Sequence, residues 1–268
     1  MRSYDVVIVG AGIAGMTAAI YVARAGKSVI LLEERMHGGQ IINTINIANW
    51  PAEPGISGAE LSQKIYHQVN NLGVEVEYVK VLSVEESDEY LTEQDAKNAA
   101  RRLFVVKTED GDYTAKAVIV ATGTEPRKLS ESQMKDAGKR TVSYCATCDG
   151  AFFKGKPVVV VGSGNTARHE IAYLNNIASK VYHIHHDDPI PEDAVAVFVA
   201  IGRVPNTDAV KNIVDLDESG YIVAGENCKT SVPGIFVAGD CRVKDVRQLV
   251  TAAGDGAVAA AGVLAYLA

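Results

Sequence analysis

The chain has 268 residues, of which 47% are hydrophobic and 22% are charged, a composition typical of a soluble globular protein. Its formal net charge of −7 disfavours nucleic acid and anionic membranes as partners, and no apolar run reaches the ~18 residues of a membrane span. Because the N-terminus lacks the separate apolar region and cleavage site of a secretion signal, we expect a cytoplasmic protein.

The N-terminal residues predict a complete βαβ unit. An apolar strand at 5–9 leads into a glycine-rich turn and a helix at 16–24, and a second apolar strand at 28–32 is followed by Glu33. The turn carries the GxGxxG pattern, with glycines Gly10, Gly12 and Gly15. These glycines allow a tight turn and close approach to a pyrophosphate, and an acid at this distance accepts from ribose hydroxyls. The unit therefore predicts a dinucleotide site.

A second unit of the same kind lies in the middle of the chain. A strand at 157–161 precedes the turn GSGNTA, helical spacing runs from 167 to 174, and a further strand is expected at 180–184. Two such units predict two nucleotide-type domains. Between them, the charged run 87–102 predicts a solvated surface excursion within a β-rich segment.

Two further predicted strands end in short polar motifs. The strand at 117–121 ends at Thr122-Gly123, and the strand at 235–238 ends at Gly239-Asp240. A long Ala-rich helix is expected from about Gln248. Because charged residues and glycines interrupt it, we expect a packed helix rather than a membrane anchor.

The stretch CATCD places Cys145 and Cys148 two residues apart, with Asp149 directly after them. A zinc site would need two more ligands, and Cys228 and Cys241 lie in the other predicted domain, so we expect no metal. A structural disulfide is disfavoured in a reducing compartment, which leaves a redox dithiol. Asp149 is suited to pass a proton to a departing thiolate, and a helix N-cap is a compatible alternative.

Together these motifs resemble the low-molecular-weight thioredoxin reductases over nearly the whole chain. The matching stretches are GAGIAG at 10–15, GGQI at 38–41, NWP at 49–51, ATG at 121–123, CATCDG at 145–150, AGD at 238–240 and RQ at 247–248. The resemblance implies an α/β fold with a Rossmann-like FAD domain, of the two-dinucleotide-binding-domain type. The FAD domain would comprise residues 1–127 and 203–268, and a shortened dithiol domain, 128–202, would be inserted into it. A homodimer formed through the FAD domains is also implied.

The same resemblance assigns roles to individual residues. Those implied at the pyrophosphate are Gly10, Gly12, Ala14 and Gly15, and Glu33 would hold the adenosine ribose. Those implied along the ribityl chain and flavin are Gly39, Gln40, Asn49, Thr122, Gly123 and Asp240. Those implied over the isoalloxazine edge are Arg247, Gln248 and Leu249. Cys148 would face the flavin, and Cys145 would attack the disulfide of thioredoxin. Cys228 and Cys241 are interpreted as buried or incidental thiols.

The second nucleotide unit departs from the family pattern. NADPH-dependent members carry basic residues after its second strand, whereas this chain has His185, His186, Asp187 and Asp188 there. Aspartates beside a 2′-phosphate would repel it. Fewer than fifty residues separate Lys156 from Arg203, too few for a full βαβαβ half. We therefore predict an enzyme that does not use NADPH, closest in pattern to the ferredoxin-dependent flavin thioredoxin reductases.

In that interpretation reduced ferredoxin supplies electrons to FAD, the flavin reduces the dithiol, and the dithiol reduces thioredoxin. The basic residues expected to receive ferredoxin near the flavin edge are Arg242, Lys244 and Arg247. Other functions remain open: an NAD(P)H-dependent reductase with a compact nucleotide domain, a flavin dithiol oxidase, or an idle flavin-binding module. Dithiol oxidases commonly have His after the CxxC, so Asp149 disfavours that alternative.

Overall fold

The computed structural model describes residues 1–98 and 100–268; Ala99, in the charged run 87–102, lies outside the described residues. The chain divides into two compact units. Unit 1 comprises residues 1–124 and 205–268, and unit 2 comprises residues 125–204. The boundaries expected from the sequence, after residue 127 and before residue 203, lie close to these.

The strands are β1 (Arg2–Val9), β2 (Val29–Glu33), β3 (Glu75–Tyr78), β4 (Val81–Tyr90), β5 (Arg102–Thr108), β6 (Tyr113–Val120), β7 (Thr124–Pro126), β8 (Thr141–Ser143), β9 (Pro157–Val161), β10 (Lys180–Ile184), β11 (Ala196–Val199), β12 (Arg203–Pro205) and β13 (Ile235–Val237). The α-helices are α1 (Ile13–Arg24), α2 (Gly58–Asn71), α3 (Glu93–Asn98), α4 (Glu131–Ala137), α5 (Ala146–Asp149), α6 (Asn165–Leu174) and α7 (Leu249–Leu267). Part of the expected excursion at 87–102 is thus regular structure, since β4, α3 and β5 occupy much of it.

Unit 1 is built on a seven-stranded sheet in the order β3-β2-β1-β6-β5-β4, with β13 also pairing β6. β1 runs parallel to both β2 and β6, as a βαβ unit requires. Val6 and Ile8 join the core on one face of the sheet, and Val7 joins the core on the other. Because both faces are covered, this strand is a continuous apolar run, as the sequence predicts.

Helix α7 is long and apolar enough to cross a membrane by length and composition. It packs against α1, however, and Ala259, Ala260 and Val263 are fully buried in the core that the two helices share with the sheet. At Gly256 an added Cβ would lie 2.3 Å from the carbonyl oxygen of Ala14, so a side chain there would separate the helices. This arrangement agrees with the packed helix that the sequence predicts.

Unit 2 contains a four-stranded sheet in the order β10-β9-β11-β8, and its strands are parallel. Helix α6 joins β9 to β10, which is the second predicted βαβ unit. Parallel strands place their carboxyl ends at one edge of the sheet. Cys145 follows β8, Gly162 follows β9 and His185 follows β10 at that edge. The edge is therefore where the chemistry of unit 2 is expected.

The connection from β10 to β11, residues 185–195, contains neither an α-helix nor a strand. Its backbone is held instead by three side chains from α4 and the turn after it. Gln133 donates to the carbonyls of His185 and Asp188, Asp136 accepts from the N–H of Ile190, and Arg140 donates to the carbonyls of Pro191, Glu192 and Ala194. These bonds satisfy backbone groups that a helix would satisfy internally.

Candidate active site

Cys145 and Cys148 form a disulfide at the start of helix α5, with their Cα atoms 5.3 Å apart. Cys145 is the N-cap of this helix, and its carbonyl accepts from the N–H groups of Cys148 and Asp149 at 3.2 and 3.1 Å. Both cysteines are partly exposed. A partly exposed disulfide of this spacing can be attacked by an external thiolate and can itself be exchanged.

Asp149 is held beside the disulfide by Ser143, a residue that the sequence analysis missed. The Ser143 hydroxyl donates to Asp149 Oδ2 at 2.6 Å and accepts from the N–H of Cys145 at 3.2 Å. Ser143 is buried, so water competes little for these bonds. Asp149 is the N-cap residue of the 3-10 helix Gly150–Phe153, but its side chain makes no capping hydrogen bond there.

A buried carboxylate lies behind the disulfide. Glu170 on α6 is 9% exposed, and its Oε1 accepts from the N–H of Ala146 at 3.4 Å. Burial raises the pKa of Glu170 to about 7, opposed by the Ala146 hydrogen bond and the charge of Arg203. The sequence analysis missed this residue too. Helical spacing could have indicated that Glu170 is buried, since it shares one face of α6 with Ala167 and Leu174.

The two remaining cysteines are fully buried in unit 1. Burial raises the pKa of the Cys228 thiol to about 11 and also raises that of Cys241. A raised pKa suppresses the thiolate, which is the reactive species. Cys228 and Cys241 are therefore structural thiols, as the sequence analysis interpreted them.

The glycine turn after β1 forms a cradle of the shape that a pyrophosphate needs. An added Cβ at Gly10 would lie 2.4 Å from the carbonyl oxygen of Ala121, and one at Gly15 would lie 1.9 Å from that of Gly10. At Gly12, by contrast, a Cβ would meet nothing within 4 Å among the described residues. Helix α1 begins at this open position without a side-chain cap, so its first amides face the cradle.

Other predicted residues surround this cradle. Both carboxylate oxygens of Glu33 are held by backbone, from the N–H of Ala11 at 2.8 Å and of Arg35 at 3.1 Å, and each retains a lone pair for a ribose hydroxyl. Gly39 lies against Gly12, because a Cβ on Gly39 would be 3.4 Å from the Gly12 Cα. A Cβ added to Gly239 would lie 3.0 Å from the methyl group of Ala14, so Ala14 lies close to the Gly239-Asp240 turn.

Two side-chain contacts bring distant predicted residues together. Gln40 donates to the carbonyl of Thr124 at 2.6 Å. Asn49 donates to the side-chain oxygen of Gln248 at 3.0 Å, across 199 residues of sequence, and Leu249 begins α7 directly after it. Gln40 therefore lies near the C-terminal end of β6, and Asn49 lies near the start of α7. The family resemblance implies that both residues line the flavin.

The Thr122-Gly123 segment is fixed by Asn206, which the sequence analysis did not single out. Thr122 Oγ1 donates to the Asn206 carbonyl at 2.5 Å, and the Asn206 N–H donates to the Gly123 carbonyl at 3.0 Å. The Asn206 side chain also donates to the Thr122 carbonyl at 3.1 Å. Asn206 therefore holds both residues that the sequence places along the cofactor.

The predicted ferredoxin-docking residues Arg242 and Lys244 are not available on the surface. Their side chains are 2% and 6% exposed, and both bind the buried carboxylate of Asp255, at 2.9 and 2.8 Å. Burial opposes the charge on Asp255, but these hydrogen bonds outweigh it and lower its pKa. Arg247 stacks on Tyr221 and donates to the Asp240 carbonyl at 3.2 Å. The docking prediction is therefore wrong for Arg242 and Lys244, whose charges are internal.

A cavity of about 790 Å³ lies at the carboxyl edge of the unit 2 sheet. Its lining includes the Gly162–Gly164 turn and four cationic or titratable side chains: Arg127, Lys128, His185 and His186. Neither Asp187 nor Asp188 is among the lining residues. Asp187 instead pairs with His186 at 2.9 Å, and Asp188 accepts from the N–H of His185 at 2.8 Å. Both aspartates thus bind neighbouring residues, and their repulsion of a 2′-phosphate stays a prediction.

Comparison with known proteins agrees with this geometry. The sequence profile of the pyridine nucleotide-disulphide oxidoreductase family matches residues 4–191 and 187–257. A thioredoxin reductase of Bacillus subtilis (strain 168) is 36% identical over 314 aligned positions, which cover 99% of this chain and 95% of the relative. The crystal structure of a thioredoxin reductase from Streptococcus pyogenes superposes with a TM-score of 0.86 at 35% identity, covering 99% of this chain and 98% of that one.

The chain belongs to the thioredoxin reductase family. It is therefore an FAD-dependent disulfide oxidoreductase, and the predicted α/β Rossmann-like fold and FAD cofactor are confirmed. The open Gly12 cradle, the fixed Glu33 carboxylate and the uncapped start of α1 fit this cofactor. The structure of a ferredoxin-flavin thioredoxin reductase from Clostridium acetobutylicum is also similar, with a TM-score of 0.60 at 27% identity, covering 100% of this chain and 98% of that one.

The alignment with the Bacillus subtilis relative spans 314 positions, more than the 268 residues of this chain, so it contains gaps in this chain. The two matched stretches of the family profile meet at residues 187–191. This point lies in the helixless connection from β10 to β11, where the sequence analysis expects strands to be missing.

Proposed function

We propose that the chain reduces the disulfide of thioredoxin through Cys145 and Cys148. The observation that carries this proposal is the partly exposed Cys145–Cys148 disulfide, with Asp149 fixed next to it by a buried serine. FAD supplies the two-electron reducing chemistry when it is bound. The relatives named above are thioredoxin reductases, which supports thioredoxin as the substrate.

In the reduced enzyme, the Cys145 thiolate attacks one sulfur of the thioredoxin disulfide, and the S–S bond of thioredoxin breaks. The departing sulfur of thioredoxin takes a proton from Asp149. The Cys148 thiolate then attacks Cys145 in the mixed disulfide, which releases the second thioredoxin sulfur. Two electrons pass to thioredoxin, and Cys145–Cys148 is again a disulfide. The assignment of attack to Cys145 rests on the family resemblance.

Asp149→Asn should lower kcat/KM for thioredoxin by about a hundredfold, because a general acid typically contributes at least that much. Ser143→Ala should have a smaller effect in the same direction, since the carboxylate stays but is no longer held. Initial rates with oxidised thioredoxin and a chemical reductant of the flavin measure both. If Asp149→Asn turned over at the wild-type rate, the proton would come from another group.

For the electron donor we propose a reduced ferredoxin. The small size of unit 2 supports this choice, because four strands in 80 residues leave little of a nucleotide-binding half. A protein that donates single electrons to the flavin needs no nucleotide pocket. The net charge of −7 means that an acidic ferredoxin would require a local basic patch outside Arg242 and Lys244.

A nicotinamide nucleotide is the second candidate donor, and the cavity in unit 2 favours it. Arg127 and Lys128 are cations suited to phosphate, and the Gly162–Gly164 turn precedes the start of α6 in the manner of a phosphate-binding loop. In a compact nucleotide domain, this cavity would be the nucleotide-binding site. A third candidate, oxidation of a small dithiol by oxygen, has only the shortening of unit 2 in its favour.

The donor is decided by mixing the oxidised holoenzyme anaerobically with NADPH, NADH or reduced ferredoxin and following the flavin absorbance. We expect fast, saturable bleaching with ferredoxin and little with either nucleotide. Fast bleaching by micromolar NADPH would overturn the ferredoxin proposal and leave thioredoxin reduction intact. Oxygen consumption with a small dithiol, without any thioredoxin reduction, would instead support the oxidase.

We also propose a cytoplasmic homodimer formed through unit 1, as the family resemblance implies. Light scattering of the holoenzyme at micromolar concentration should then give twice the chain mass of 28.5 kDa. A mass equal to one chain at that concentration would contradict the proposal.

A further inference from the structure

Glu170 is a buried titratable group that the proposed thioredoxin chemistry does not use. Its Oε1 reaches the N–H of Ala146, the residue bonded directly to Cys145, at 3.4 Å. Its Oε2 is buried and makes no hydrogen bond to any residue that the structure describes. A buried carboxylate oxygen without a hydrogen-bond partner destabilises the folded state. The presence of Glu170 at this position therefore requires an explanation.

The surroundings of Glu170 leave its charge poorly compensated. Strands β9 and β11 present apolar side chains to this side of α6: Val158, Val160, Ala196 and Phe198. The charge of Arg203 lowers the pKa of Glu170, and Asp149 of α5 is bound by Ser143. On β10, Lys180 bonds to Tyr182 and His183 bonds to the Gly162 carbonyl. On α6 itself, Arg168 and His169 are exposed. The nearest redox group is the cysteine pair.

We propose that Glu170 is a positioning residue for the dithiol, which holds the backbone behind Cys145 and sets the ionisation of the reduced pair through its own charge. This inference rests on the proposed dithiol function. The oxidised pair carries no charge, whereas the reduced pair reacts as a thiolate. A carboxylate behind Ala146 and a thiolate on the neighbouring residue repel each other, so each raises the pKa of the other.

Reduction breaks the S–S bond with two electrons from the reductant and leaves two sulfur atoms that bind up to two protons. When Glu170 is protonated, one sulfur stays as a thiolate at low cost. When Glu170 is ionised, the carboxylate or that sulfur takes up one further proton from solvent. Protonated Glu170 thus favours the reactive thiolate below about pH 7, and ionised Glu170 opposes it above that pH.

The test is the pH dependence of cysteine alkylation in the reduced holoenzyme. The protein is reduced with dithiothreitol, freed of excess reductant without oxygen, and treated with iodoacetamide from about pH 5.5 to 9.5, a range that spans both groups. Peptide mass spectrometry follows Cys145 and Cys148 separately. The wild-type profile should show two inflections, one near pH 7 from Glu170 and one from the thiol. Glu170→Gln should give one inflection, with the thiol midpoint about one pH unit lower.

Gln keeps an oxygen acceptor for the Ala146 N–H, so Glu170→Gln removes the charge and preserves the hydrogen bond. Glu192→Gln is the matched control, because Glu192 is exposed on the same unit. It should leave the profile unchanged. A single inflection in the wild type, or equal thiol midpoints in the wild type and Glu170→Gln, would overturn the proposal. If Glu170→Gln does not fold, the wild-type profile alone decides.

Alkylation needs neither thioredoxin nor an electron donor. A shifted midpoint without thioredoxin turnover would therefore uphold this inference and refute the proposed function. An unshifted midpoint with normal turnover would do the reverse.

Discussion

Cys148→Ser should lower thioredoxin turnover by at least about a thousandfold, because a dithiol that has lost one sulfur cannot release the mixed disulfide. Cys145→Ser should have the same effect, since no thiolate remains to attack thioredoxin. FAD binding should survive both substitutions, because the residues of the cradle lie in unit 1 and the dithiol lies in unit 2. Flavin absorbance of the purified variants and steady-state rates measure the two effects.

Cys228→Ser and Cys241→Ser are the matched controls. Both thiols are buried and their pKa values are raised, so neither supplies a thiolate near neutral pH. Each variant should retain nearly full turnover once its folding is checked by circular dichroism. Loss of turnover in a folded Cys228 or Cys241 variant would show that the redox pair is not the whole catalytic set.

Asp255→Ala should destabilise the protein by about 3–5 kcal/mol, because it leaves Arg242 and Lys244 as buried charges without their common partner. The apparent melting temperature should fall by about 10 °C. FAD occupancy should also fall, since Asp255 accepts from the N–H of Gly239 at 3.0 Å and so fixes the turn that carries Asp240. Thermal unfolding of the variant with and without added FAD measures both consequences.

Asp245→Ala removes an exposed carboxylate from the same segment and should change the melting temperature little. The pH dependence adds a second check. The pKa of Asp255 is lowered in the folded state, so its contribution is present above the ordinary pKa of about 4 and is lost in acid. The difference between wild type and Asp255→Ala should therefore shrink below about pH 4. Equal stability of the two proteins at neutral pH would contradict the buried network.

Local patterns in the sequence predicted the elements that position the site. The bounds of β9 and β10 are those expected, and Gly10 and Gly15 lie where any side chain would collide with backbone. These features follow from short-range rules: apolar runs give parallel strands, and a close approach of two segments demands glycine. The pairing of Cys145 with Cys148 likewise follows from their two-residue spacing, while their redox role stays a prediction.

What the sequence did not show depends on partners far along the chain. Arg242 and Lys244 look like exposed basic residues until Asp255 is known to face them from α7. Asp187 and Asp188 are adjacent in the sequence, yet Asp187 pairs with the His186 side chain and Asp188 accepts from the backbone N–H of His185. The position of a charged residue in the sequence does not tell which way its side chain points. That orientation decides whether a carboxylate faces a ligand or its own backbone.

The short connection between β10 and β11 shows how little chain the unit 2 sheet needs at this point. The sheet of unit 2 keeps four paired parallel strands with only residues 185–195 joining the second βαβ unit to β11. Gln133, Asp136 and Arg140 already provide the hydrogen bonds that this short path requires. The connection therefore contributes no helix or strand to unit 2, and a change in its length would fall outside the four paired strands.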